Sequence, residues 1–218
     1  VTVTAVFTDA SAITGTPRLS IDYAGGEGSD VVLVDMSATG DNQAWTHDID
    51  VPSGNDGEAV ITIQGQDAAG NDVADHTGNA FIVDNTPPTV ALTYDDAGPY
   101  RDADTVLVTA TFTDDSAIGG TPQISIDYAG GNTSDVILAD MSATADDKLW
   151  FYEIDVPSGS DGLAQITITA FDAAQNPVGA HSGETFTVDN TLPTAPVITT
   201  DGGSGAGSDF FASVADIT

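Results

Sequence analysis

Apolar and polar residues alternate with a period of two along most of the chain, in stretches of five to nine residues. A helical period of 3.6 appears nowhere, so the pattern predicts strands with one buried face. In the second half the stretches fall near 90–94 (VALTY), 105–113 (TVLVTATFT), 123–128 (QISIDY), 136–140 (VILAD), 149–156 (LWFYEIDV), 163–171 (LAQITITAF) and 184–188 (ETFTV). The segments between them are rich in Gly, Pro, Asp and Ser, the residues that end strands and form turns.

The same pattern occurs twice. Residues 5–89 align without a gap to residues 110–194, an offset of 105, with 54 identities in 85 positions. FTDASAITGTP returns as FTDDSAIGGTP, and DIDVPSGNDG as EIDVPSGSDG. A gapless repeat of this length is a tandem duplication of a whole structural unit. Seven short strands per unit of about 100 residues predict an all-β chain of tandem seven-stranded immunoglobulin-like β-sandwiches. The boundaries expected are 1–88 for a first unit lacking its strand A, 89–193 for a complete second unit, and 194–218 for the start of a third. Trp45 and Trp150 each open the fifth strand and are expected in the core with Phe7, Phe112, Ile61 and Ile166; a sugar-binding aromatic groove is the alternative.

Charge narrows the function. The chain has 34 acidic and 3 basic residues, a net charge of −31, which excludes nucleic acid and anionic membranes as partners. No apolar run approaches the roughly 18 residues of a membrane span, so no membrane insertion is expected. Cysteine is absent, and with it disulfides and thiolate chemistry. The histidines, His47, His76 and His181, fall in no catalytic motif, so the chain is expected not to be an enzyme. Thirty of the acids are Asp, the short carboxylate favoured in turns and in calcium loops.

The order of motifs (a Trp-led strand, a DG turn, a strand ending DAAGN, a last strand closing with VDNTPPT) resembles the bacterial immunoglobulin-like repeats of giant Gram-negative surface adhesins. The DNTPP segment is also similar to the calcium-binding linker of cadherins. The resemblance implies an extracellular, cell-surface spacer, non-enzymatic, stiffened by Ca2+ between neighbouring repeats of the same protein. Gln175 replaces the Gly of DAAGN in the second copy, and Leu192 replaces the first Pro of its linker.

Immunoglobulin topology predicts which acids meet. At the joint between the units, Asn55, Asp56, Asp84 and Asn85 of the first should face Asp114, Asp115, Asp172 and Asn176 of the second. Calcium takes six to eight oxygens, which such a set supplies. At the far end of the second unit Asp161, Asp189 and Asn190 should be joined by Asp95, Asp96, Asp102 and Asp104. Asp9, Asp67 and Asn71 would serve a preceding unit. Read individually, each Asp also suits plain turn chemistry. The tail from Ala195 resembles the strand A that the first unit lacks, so head-to-tail self-association by strand donation from residues 195–218 is a second expectation, and an accessory binding module of a secreted enzyme is a third.

Overall fold

The computed structural model describes residues 1–25, 28–40, 43–73, 79–130, 135–179 and 184–197. His76, His181 and most of the expected donor tail lie outside the described residues. The first unit contains β1 (Thr2–Val6), β2 (Ile13–Asp22), β3 (Val31–Asp35), β4 (Ser37–Ala38), β5 (Ala44–Asp48), β6 (Gly57–Asp67) and β7 (Asn79–Val83). The second contains β8 (Thr89–Tyr94), β9 (Thr105–Thr113), β10 (Ile118–Asp127), β11 (Val136–Asp140), β12 (Ser142–Ala143), β13 (Leu149–Asp155), β14 (Gly162–Asp172) and β15 (Glu184–Val188). No helix occurs among the described residues.

In the second unit two antiparallel sheets, ordered β12-β13-β9-β8 and β11-β10-β14-β15, face each other as a sandwich. Its core takes the inward residues of both, including Val106, Val108 and Phe112 from β9, Ile124 and Ile126 from β10, and Phe186 from β15. β14 shows why these residues form a strand: Ala164, Ile166, Ile168 and Ala170 are buried at every second position, and the residues between them face solvent. Among its described residues this unit has eight strands rather than seven. The 136–140 segment pairs with β10, and the additional two-residue β12, too short to show any period, pairs with β13.

The first unit repeats this plan with sheets β1-β5-β4 and β3-β2-β6-β7 around a separate core of Leu19, Ile21, Tyr23, Ile61 and Ile63. Among the described residues no strand corresponding to β8 lies beside β1. Val106, Val108 and Ala110, covered by β8, are 0% exposed, whereas Val1 is 67% exposed and Val3, Ala5 and Phe7 are half-buried. An open groove of about 270 Å³ runs along Val3–Phe7 to Ile61, Ile63 and Val73. The two tryptophans sit at the rim of the cores, half-buried and packed against them, rather than at their centres.

Candidate metal centre

The alternation that builds β14 continues one step beyond its apolar residues. Asp172 occupies the next inward position, and its side chain is 0% exposed. A buried carboxylate needs donors or a cation. The tight turn after it supplies donors: Asn176 donates its backbone N–H to Oδ1 and its Nδ2 to Oδ2, each at 2.8 Å. Gln175, where the first unit has Gly70, holds φ 75° in the same left-handed conformation, so the turn survives the substitution. Asp67 and Asn71 repeat these hydrogen bonds in the first unit, and the Asn71 donors hold the Asp67 carboxyl below its ordinary value.

Asp114 leaves the end of β9 and turns on itself, accepting Ser116 N–H at 2.7 Å on Oδ1. Its Oδ2 is buried without a hydrogen-bond partner. Asp84 follows β7 and likewise caps its own turn, accepting Thr86 N–H at 3.1 Å on Oδ1. Its Oδ2 accepts the Ser116 hydroxyl, and its backbone carbonyl accepts Asn176 Nδ2 at 3.0 Å. Asp84 is thereby seated on the pole of the second unit. Oxygens of Asp84, Asp114 and Asp172 lie within 4.8 Å of one another, the one such acidic group among the described residues.

This donor set fits a hard cation. Two oxygens each about 2.4 Å from one calcium ion can be no more than about 4.8 Å apart. The three carboxylates meet that limit, and the unpartnered Asp114 Oδ2 is an acceptor that the protein leaves without a donor. The Ser116 hydroxyl and nearby carbonyls are further oxygens of the kind calcium takes.

Other expected ligands are placed elsewhere. Asp56 does not join the three; it clamps the linker, accepting Asn85 N–H at 2.8 Å, Asn85 Nδ2 at 2.9 Å and the Thr86 hydroxyl. These donors, Thr86 foremost, lower its pKa. Asn55 is buried on the same loop, and Asp115 points to solvent. At the far exit Asp161 repeats the clamp on Asn190 N–H (2.7 Å) and the Thr191 hydroxyl (2.8 Å), with its pKa lowered by both. Asp189 caps Thr191 N–H at 3.0 Å, and Asn190 Oδ1 accepts Asp102 N–H at 2.5 Å. Asp95 accepts the N–H of Leu107 on β9, and Asp96 and Asp104 accept those of Ala97 and Arg101 within their own loop. Among the described residues the far-exit acids thus bond to turns and to the linker.

One residue at the centre escaped the sequence reading. Lys148 donates its Nζ to the backbone carbonyl of Asp114. Its signal was in plain view: it is the chain's one lysine, standing where the first copy has Gln43.

The sequence model described as "Bacterial Ig-like domain (group 3)" matches residues 43–149. No curated protein matches the chain. Among solved structures, a tetra-tandem repeat in the extending region of a large adhesion protein is similar at 22% identity and TM-score 0.40, covering 86% of this chain. The chain spans 45% of that structure's length. A DUF3823 family protein from Bacteroides ovatus shares 8% identity at TM-score 0.31, covering 85% of this chain and 98% of that one. Dimeric latent PorU from Porphyromonas gingivalis shares 18% at TM-score 0.33, covering 84% and 20%. The matched window straddles the joint and is about one repeat period long. Outside it, residues 5–42 repeat 110–147 and residues 150–194 repeat 45–89, all inside the window. Residues 43–149 therefore match the bacterial Ig-like domain family, group 3, and the flanking segments repeat parts of that window.

Proposed function

We propose that the chain is a non-enzymatic extracellular spacer of a bacterial surface adhesin, with its two sandwiches locked end to end by calcium. The observation that carries this reading is the meeting of Asp84, from the exit of the first unit, with Asp114 and Asp172 of the second. Without a cation, carboxylates within 4.8 Å of one another repel, pair by pair, by at least about 1 kcal/mol in bulk water and about 3.5 kcal/mol at an effective dielectric of 20. A divalent ion reverses the sign of that interaction and holds the exit of one unit against the pole of the next. The two cores share no residue, so losing the ion frees the joint while each sandwich remains folded. A stiff joint lets a row of such units project whatever lies at its end.

Calorimetric titration of calcium into the chelator-treated chain tests this. One site is expected at the joint, and Asp84→Asn should weaken it more than tenfold, since that residue alone comes from the first unit. Unchanged affinity in Asp84→Asn would mean that the ion does not bridge the units.

A second reading, a filament subunit that donates residues 195–218 to the next copy, is favoured by the groove beside β1, where the second unit holds β8. Concentration-dependent sedimentation abolished by deleting 195–218 would support it; a monomer at all concentrations would dismiss it.

A further inference from the structure

Lys148 immediately precedes β13, its N–H bound to Asp146 Oδ1 at 2.9 Å, and it is half-buried. Its ammonium group donates to the carbonyl of the residue whose carboxylate Oδ2 lies buried and unpartnered. In the first unit Gln43 makes the corresponding contact, Nε2 to Asp9 carbonyl at 3.5 Å. A neutral amide therefore suffices to brace this loop. The positive charge stands at the pole where Asp84 adds a third carboxylate.

We infer that Lys148 is a tethered counter-cation of the joint, which offsets part of the repulsion between Asp114 and Asp172 when no metal is bound and limits the charge of the metal that the three carboxylates take. The part about metal rests on the calcium reading above. Three carboxylates and one ammonium carry a net charge of −2, which one divalent ion neutralises. With Gln at this position the net charge is −3, better matched to a trivalent ion. The ammonium also repels any incoming cation, so it lowers affinity while it steadies the empty site.

Lys148→Gln installs the side chain that the first unit already uses, so the fold has its own precedent for the variant. Two readouts test the inference on the full chain. In chelator at low salt, Lys148→Gln should melt the second unit at a temperature lower by about 5 °C, the difference vanishing in high salt as screening removes the charge effect. In titrations, Lys148→Gln should bind calcium about tenfold more tightly, and terbium, with its higher charge, should gain more than calcium. A loop brace alone would change neither the salt dependence nor the terbium-to-calcium ratio. If wild type binds calcium but Lys148→Gln leaves both the metal-free melting and the affinities unchanged, the inference is wrong. If neither chain binds calcium, the calcium reading fails, and the salt-dependent melting then decides for or against the counter-cation by itself.

Discussion

Replacing Asp114 by Asn separates the two faces of the joint, because its effect should change sign with calcium. In the metal-free chain Asp114 lies within 4.8 Å of Asp172, and both belong to the second unit, so hinging at the linker does not part them. Their repulsion is about 1 to 3.5 kcal/mol between bulk-water and surface-like dielectric. The asparagine oxygen keeps the Ser116 N–H bond, at the loss of about 1 kcal/mol of charge assistance. Its amide nitrogen takes the place of the unpartnered Oδ2 and turns toward acceptors, a gain of about 1 kcal/mol. The net expectation is a second unit more stable by about 2 kcal/mol in chelator, or roughly 10 °C in melting temperature. At calcium a thousandfold above its dissociation constant, wild type gains about 4 kcal/mol by mass action. The variant, short of a ligand, gains little, so it becomes the less stable chain by about 2 kcal/mol. The assay is thermal unfolding followed by Trp150 fluorescence in a Trp45→Phe background, with and without calcium. An Asp114→Asn chain that is less stable than wild type in chelator, or whose shift has the same sign in both conditions, would refute the reasoning.

Three further outcomes follow from local geometry. The clamps of Asp56 and Asp161 have depressed pKa values, so their contribution is complete above the ordinary carboxylate range near pH 4 and is lost as pH falls through the depressed value; Asp56→Asn with Asp161→Asn should flatten the acid unfolding curve. Burial pushes the Tyr128 hydroxyl up to about 12, so the unfolded chain ionises first and stability drains away between pH 10 and 12; Tyr128→Phe should remove that alkaline slope in the second unit's melting curve. Phe186 is packed edge-on by Tyr94, Tyr100 and Tyr128, whereas half-buried Phe81 meets Tyr23 alone; Phe186→Ala should cost about 4 kcal/mol in denaturant titrations and Phe81→Ala clearly less.

The legible parts of this structure are those that obey a period. The alternation along 163–171 placed β14, and its phase carries Asp172 inward although nothing apolar marks that residue. The tandem repeat let one unit be read from the other. Less legible was the start of β10, expected at 123 but observed at Ile118. Gly119, Gly120 and Pro122 look like a turn, yet they form a bulge, with the pairing shifting between Gly119 and Gln123. The roles of Asp56 and Asp84 were also indistinguishable in sequence, since both are exposed-looking Asp beside turns. They diverge because Asp56 faces back onto its own linker while Asp84 is carried past it to the neighbouring unit.

The central claim is that a cation between Asp84, Asp114 and Asp172 makes two independent sandwiches into one rigid rod. Small-angle scattering in millimolar calcium and then in excess chelator, with circular dichroism on the same samples, tests it most directly. The account predicts a long, well-defined maximum dimension in calcium that shortens and broadens in chelator while the β-signal is unchanged. Identical scattering in the two conditions would contradict it, and would leave the proline linker and the Asp56 clamp as the source of whatever stiffness the joint has.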